Sequence, residues 1–180
     1  TQETRDWIEG QNKVTFSFLG AIPARDRIRT RLTELWDFSK RWAPLKKGGR
    51  FFQLRNTGLQ NQDVLYVMDR IGGKARPLLD PNAHSPDGTI SVTGWSVSKD
   101  GRWLAYATST SGSDWLTWRV RDVRTGKDLP DVIEWTKFTN AEWLPDGSGF
   151  YYGWYEPPAG GTKYTGPNYF QKLFFHRVKT

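Results

Sequence analysis

Three segments of the chain share one pattern, a glycine-containing turn followed by an aromatic-rich run. They are residues 47–52, 99–104 and 145–150, and their turn glycines, Gly49, Gly101 and Gly147, are 52 and 46 residues apart. Internal repetition at about 40–50 residues is typical of the blades of a β-propeller. The repeat therefore predicts propeller blades, although 180 residues hold only two to three of them.

Helical periodicity precedes the repeats. The spacing predicts a helix over residues 4–19 with Thr4 as its N-cap, because Thr side chains accept hydrogen bonds from the first turn. A second helix is expected from about Pro23, a residue favoured in a first helical turn. Its apolar stripe needs a packing partner and consists of Ile28, Leu32, Leu35 and Trp36.

Strand-like alternation begins after Asp37, with Gly, Pro, Asn and Asp marking the turns. Strands are predicted at 50–55, 64–69, 75–79, 89–97, 102–108, 115–123, 131–135, 137–144, 150–155 and 173–178. The expected fold is mainly β, a partial β-propeller of two blades and part of a third, preceded by two α-helices. The expected boundaries are a helical lead-in over 1–38 and blades over 39–83, 84–135 and 136–180. The third blade would be one strand short of four, and a Gly/Pro-rich loop is expected over 156–168.

Composition excludes several classes of function. The chain has no Cys, which excludes disulfides, thiolate metal sites and a Cys nucleophile, and favours a reducing compartment. No apolar run is long enough for a membrane span. The first residues show no Met and no signal peptide, so the chain is interpreted as cut from something longer. A cytoplasmic location is expected, with the periplasm as the alternative; neither a cofactor nor a metal is expected.

The net charge of +7 raises the question of nucleic-acid binding. The densest basic cluster has Arg at positions 25, 27, 29 and 31, and alternate residues spread around a helix instead of forming a stripe. Nucleic acid and membrane are therefore not expected partners.

No catalytic residue is predicted in these 180 residues. Ser113 lacks the flanking glycines of a nucleophile elbow, and nothing places His84 or His176 against both a serine and a carboxylate. Three Asp residues, Asp87, Asp100 and Asp146, each precede a glycine. Because Asp-Gly is first of all a turn dipeptide, they are interpreted as turn residues. Asp114, between a Ser-Gly-Ser segment and a Trp-rich strand, either caps a turn or faces a partner.

Several blocks in one order along nearly the whole chain resemble the N-terminal part of the prolyl oligopeptidase family. The blocks are Trp7-Ile8-Glu9-Gly10-Gln11-Asn12-Lys13, Arg31-Leu32-Thr33-Glu34-Leu35-Trp36-Asp37, Asn56-Thr57-Gly58-Leu59-Gln60-Asn61-Gln62, Leu79-Asp80-Pro81-Asn82, Ser85-Pro86-Asp87-Gly88-Thr89, Ser111-Gly112-Ser113-Asp114-Trp115, Leu129-Pro130-Asp131-Val132, Lys137-Phe138 and Gln171-Lys172-Leu173-Phe174-Phe175-His176. Together they are far more specific than any single Asp-Gly turn.

The resemblance implies a parent serine endopeptidase that cleaves short peptides after proline, with its Ser, Asp and His in an α/β-hydrolase domain outside this chain. The propeller would gate access to that site. The resemblance also implies that Phe138 lines the substrate pocket, and that Asp114 pairs with a basic residue of the hydrolase domain. From the residues alone, two structural alternatives stay open: Phe138 belongs to the core of a blade, and Asp114 caps a turn. The expected partners are proline-containing peptides and the hydrolase domain.

A second function class also stays open. The chain has 10 Trp, 7 Tyr and 10 Phe. Aromatic rings at the surface suit a carbohydrate- or partner-binding β-domain, whereas in an all-β protein they more often fill the space between sheets.

Overall fold

The computed structural model describes residues 1–85, 87–157 and 166–180. The fold is mainly β, with two long helices followed by antiparallel strands, which confirms the predicted fold class. The chain divides into two compact units, one of residues 1–39 with 57–59, the other of residues 40–56 with 60–180. Most of the loop predicted over 156–168 lies outside the described residues.

The first unit contains α1 (Gln2–Gly20) and α2 (Arg25–Trp36). The prediction of Thr4 as the cap is wrong, because the Thr1 hydroxyl accepts the N–H of Thr4 and the helix begins at Gln2. Pro23 precedes α2 instead of starting it. No residue of α1 or α2, all of which are described, is buried, so the predicted stripe of the second helix is exposed.

The first sheet of the second unit has five strands. They are β1 (Lys40–Arg41), β2 (Leu45–Lys47), β3 (Arg50–Asn56), β4 (Val64–Met68) and β5 (Arg76–Leu79). Both β1 and β2 pair with β3, then β4 and β5 follow. Neither β1 nor β2 is predicted from the sequence, because both are short, carry mainly Lys and Arg, and are separated by Pro44. A short helix, α3 (Pro81–His84), follows, capped by the Asp80 carboxylate.

The second sheet is a four-stranded meander in the order β6-β7-β8-β9. Its strands are β6 (Ile90–Val97), β7 (Trp103–Thr110), β8 (Leu116–Asp122) and β9 (Asp128–Thr136). The predicted strands agree with these to within a few residues. The last was predicted too short, because Asp128 and Pro130 do not resemble strand residues.

The third sheet has three described strands, β10 (Glu142–Trp143), β11 (Gly149–Trp154) and β12 (Lys172–Arg177), in that order. The strand predicted over 137–144 is largely wrong, because only two of its residues pair and Phe138 has a φ of +49°. The predicted division into blades at residues 39, 84 and 136 stays a prediction.

Each core lies between two sheets, and β7 contributes to both. Successive strand residues face opposite sides of a sheet. Leu104 and Tyr106 accordingly pack toward the first sheet, and Trp103, Ala105 and Ala107 toward the third. The first core contains Phe52, Leu65, Val67, Leu78, Leu79, Val97, Leu104, Tyr106 and Val123. The second contains Trp103, Ala105, Ala107, Trp118, Val120, Ile133, Ala141, Phe150 and Tyr152.

Polar contacts also join the first two sheets. Arg121 holds Asp128 through two hydrogen bonds of 2.7 and 2.9 Å and donates to the carbonyl of Leu78 at 2.7 Å. The buried hydroxyl of Tyr106 donates to the same Asp128 carboxylate at 2.9 Å. Burial alone would raise the pKa of Asp128, but the hydrogen bonds and the charge of Arg121, together with the hydrogen bond from Tyr106, outweigh it and lower that pKa.

Because of this cluster, the free energy of unfolding is expected to fall at alkaline pH. Burial, reinforced by the Asp128 charge, raises the pKa of Tyr106 from 10 to about 12. A neutral phenol therefore stabilises the folded state fully below pH 10, and this contribution disappears as the pH rises from 10 to 12. The expected loss is about 2–3 kcal/mol of unfolding free energy.

The measurement is urea unfolding between pH 8 and 12 for the wild type and Tyr106→Phe. Other groups titrate in both proteins, so the difference between the two curves isolates the phenol. We expect the wild type to lose its relative advantage above pH 10. Parallel curves would contradict the assigned coupling.

Candidate functional site

Three chain segments lie side by side at one edge of the second sheet, where its strands begin or end. The start of β6, the turn from β7 to β8, and the chain leaving β9 meet there because the strands are antiparallel. Asp114 lies in the second of these segments and Phe138 in the third. Residues 24 positions apart in sequence are thereby placed on the same edge.

The turn that carries Asp114 is held by its serines. The N–H of Ser111 donates to the carbonyl of Thr89 at 2.7 Å, and the Ser113 hydroxyl accepts the N–H of Trp115 at 3.1 Å. The capping oxygen is thus that of Ser113. The Asp114 side chain is exposed and has no hydrogen bond or ion pair among the described residues.

The segment that carries Phe138 is anchored on both sides. The carbonyl of Lys137 accepts from the Gln171 side chain at 3.1 Å, and the Thr139 hydroxyl accepts the N–H of Gly153 at 2.6 Å. Phe138 itself is 77% exposed, so it lies outside the described cores. Its φ of +49° is uncommon for a bulky residue and costs free energy.

Asp114 and Phe138 line a single open cleft of about 510 Å³. Most of the remaining lining residues carry a hydroxyl or an amide group, and apart from Ser113 none of them was considered from the sequence. The further lining residues are Ser91, Thr93, Ser109, Gly112, Ser113, Leu116, Thr139 and Asn140. Only the folded sheet assembles them, since they come from β6, β7, β8 and two connections.

The three Asp-Gly carboxylates are turn residues. Asp100 accepts from the Ser98 hydroxyl at 2.6 Å and from the N–H of Arg102 at 3.0 Å. Hydrogen bonds from Ser85 and Thr89 lower the pKa of Asp87, and those from the backbone and side chain of Ser148 lower that of Asp146. A lowered carboxyl pKa keeps a group ionised, unlike a general acid.

His176 and Asp131 form a buried pair between the second and third sheets. His176 Nε2 lies 2.7 Å from Asp131 Oδ1, which also accepts the N–H of Lys179 at 2.6 Å. Among the described residues no hydroxyl hydrogen-bonds to the His176 ring, and Asp131 Oδ2 has no partner. This arrangement joins β9 to β12.

The aromatic residues of the strands mostly fill the spaces between sheets. Trp103, Trp118 and Phe150 are buried in the core between the second and third sheets. In the described part of the chain, no group of three or more His, Asp and Glu side chains is placed to hold a metal ion. Over the same residues no helix combines the length and hydropathy needed to span a bilayer.

Comparison with known proteins identifies the family. The family model described as the prolyl oligopeptidase N-terminal β-propeller domain matches residues 1–180. The prolyl endopeptidase of Elizabethkingia meningoseptica is 37% identical over 179 residues, covering 99% of this chain and 25% of that protein. Prolyl oligopeptidase A of Galerina marginata (strain CBS 339.88) is 31% identical, with coverage of 100% and 28%.

Solved structures of prolyl endopeptidases and oligopeptidases have the same fold as this chain. A structure from a study of two prolyl endopeptidases and their inter-domain dynamics superposes with a TM-score of 0.90 at 31% identity, covering all of this chain and 27% of that one. Prolyl oligopeptidase B of Galerina marginata, bound to a 25mer macrocyclization substrate, gives 0.89 at 25% identity, with coverage of 100% and 28%.

The chain spans about a quarter of the length of the curated relatives named here. The match to the propeller domain extends over all 180 residues, so the catalytic domain of these relatives lies elsewhere. Both predictions from the sequence, of the family and of the propeller, are confirmed. The chain therefore belongs to the prolyl oligopeptidase family, as the N-terminal β-propeller domain.

Proposed function

We propose that this chain is the propeller part of a serine endopeptidase that cleaves short peptides after proline. The names of its relatives support this activity, since they are prolyl endopeptidases and oligopeptidases. The Ser, Asp and His of the reaction would lie in an α/β-hydrolase domain outside these residues. The propeller would cover that site, admit short peptides and exclude bulk water, as lids and covering domains do.

Phe138 is proposed to contact the substrate. The observation that carries this role is the position of its exposed ring in the same cleft as Asp114. Apolar rings held in the open make favourable contacts with an apolar ligand surface such as a proline-containing peptide. The costly backbone conformation of Phe138 also supports a functional role, since strained residues cluster at ligand sites.

Asp114 is proposed to pair with a basic residue of the hydrolase domain. Its carboxylate is exposed and has no ion-pair partner in the described part of the chain. Complementary charges across an interface fix its register and select the correct partner. We also propose a cytoplasmic location, which the absence of Cys supports, with the periplasm as the alternative.

The experiment compares hydrolysis of a short chromogenic peptide with proline before the leaving group by the full-length protein and two variants. Phe138→Ala is expected to lower kcat/KM about tenfold, mainly through KM, because an aromatic contact is worth about 1.4 kcal/mol or more. Asp114→Asn is expected to lower activity at low salt and to weaken its dependence on ionic strength.

Ile71→Ala is the matched control, because Ile71 is an exposed apolar residue in the β4–β5 turn that does not line the cleft. A Phe138→Ala enzyme indistinguishable from this control would contradict the substrate role. The 180-residue chain alone is expected to show no turnover, and turnover by it would overturn the assignment of catalysis to another domain.

A further inference from the structure

Lys137 is a buried cation. Its side chain is 8% exposed, and its ammonium lies 4.2 Å from the centroid of the Trp115 ring, which is 6% exposed. Among the described residues no carboxylate is within ion-pair distance of Lys137. A charge taken out of water needs compensation, and here the face of Trp115 provides it through a cation–π attraction.

Trp115 is itself held in place by other aromatic rings. It makes edge-on contacts with Trp135, at a centroid distance of 5.5 Å, and with Tyr155, at 6.0 Å. The N–H of Tyr155 donates to the carbonyl of Trp135 at 2.9 Å, which ties these two segments together. The ring that receives the Lys137 ammonium therefore has a defined orientation.

The two residues of this contact adjoin the two site residues. Trp115 follows Asp114 directly, and Lys137 precedes Phe138 directly. The positive φ of Phe138 persists only if its neighbours hold the backbone. On one side the Lys137 side chain adds to the hydrogen bond that the Lys137 carbonyl accepts from Gln171, and on the other the Thr139 hydroxyl accepts the N–H of Gly153.

We propose that the cation–π contact between Lys137 and Trp115 positions Phe138 toward the substrate. Lys137 is then a positioning residue for the binding of peptide, acting through Phe138 and not touching the substrate. The inference rests on the proposed function, because it assigns a support to a residue proposed there. An uncharged side chain of the same length fills the same space but lacks the attraction to the ring face, so it leaves Phe138 less ordered.

The test uses the full-length protein and the same chromogenic proline peptide. Lys137→Met keeps the unbranched stem and removes the charge; we expect KM to rise about fivefold with kcat changed less than twofold. Lys137→Arg retains a cation and is expected to restore KM to within twofold of the wild type. Lys46→Met is the matched control, because exposed Lys46 also lies over a ring, that of Phe51 at 5.6 Å, outside the cleft.

The double variant Lys137→Met/Phe138→Ala separates positioning from a direct contact. If Lys137 acts through Phe138, the double variant has the KM of Phe138→Ala alone, since there is no ring left to position. A further fivefold rise in the double variant would overturn the proposal. Should Lys137→Met not fold, Trp115→Phe provides the same comparison, because Phe keeps an aromatic ring and attracts a cation less than Trp.

The outcomes for the two proposals are distinguishable. If Phe138→Ala has wild-type kinetics, the proposed function of Phe138 fails. If Phe138→Ala raises KM while Lys137→Met behaves like Lys46→Met, only the positioning role fails. A rise in KM in Lys137→Met that Lys137→Arg does not reverse would likewise overturn the role of the cation.

Discussion

Replacing His176 with phenylalanine is expected to lower the free energy of unfolding by about 3–5 kcal/mol. The Asp131 carboxylate is buried, and it would keep a single hydrogen bond, from the N–H of Lys179. Oδ2 of Asp131 already lacks a partner among the described residues, so nothing there replaces the imidazole. A buried charge without its partner is far more costly than the pair is stabilising.

The double variant His176→Phe/Asp131→Leu is expected to recover part of that loss, although the N–H of Lys179 then loses its acceptor. Removing both polar partners of a buried pair is often neutral, because no desolvated charge remains. Urea unfolding of the wild type, both single variants and the double variant gives the coupling free energy of the pair.

Asp69→Asn is the control for this cycle. Asp69 also faces a cation, Arg50, but at 3.8 Å, and its side chain is 96% exposed. An exposed pair contributes little, so a change within about 0.5 kcal/mol is expected. The conclusion that the buried pair stabilises the packing of the second sheet on the third would be contradicted by either of two results. One is a loss of unfolding free energy below about 1 kcal/mol in His176→Phe, and the other is no recovery in the double variant.

Gly48→Ala is expected to destabilise the protein by about 3 kcal/mol or more, and Gly49→Ala by only about 1–2 kcal/mol. Both glycines have positive φ, 51° and 76°, in the turn between β2 and β3. A Cβ at Gly49 would point into open space, whereas one at Gly48 would overlap the backbone of Asp100.

The two glycines therefore form a matched pair. The conformational penalty is common to both substitutions, and the difference in unfolding free energy measures the close approach of the turn to residues 100–101. The N–H of Gly48 donates to the carbonyl of Lys99 at 3.1 Å, so the turn joins the first sheet to the second. Equal losses in the two variants, measured by urea unfolding, would show that the approach has no energetic consequence.

Local pattern was sufficient for most of the regular structure. Alternation of apolar residues placed β3, β4, β6, β7 and β11 to within two residues, because each buries at least one face against a neighbouring sheet. It failed for β1 and β2, where charged residues pair through their backbones. It also failed over 137–144, where hydrogen bonds from Gln171 and Gly153 hold the chain in an irregular conformation.

The candidate site was accessible only through the resemblance. From composition and spacing alone, Asp114 could be a turn cap or an interface residue, and Phe138 could belong to a blade core or to the substrate pocket. The structure places Ser113 as the turn cap instead of Asp114 and leaves Phe138 exposed, and both findings favour the interface roles. Lys137 belongs to the Lys137-Phe138 block of the resemblance, but its burial could not be predicted from the sequence, since it depends on a tryptophan 22 residues away.

The sequence by itself determined the class of fold and the family, because glycine turns, strand alternation and ordered motifs are local properties of the chain. Tertiary structure alone decided which distant residues meet. These are the His176–Asp131 pair, the close approach of Gly48 to Asp100 and the cleft shared by Asp114 and Phe138. The physical reason is that each joins segments far apart in sequence, whose contact depends on strand register and on the packing of one sheet against the next.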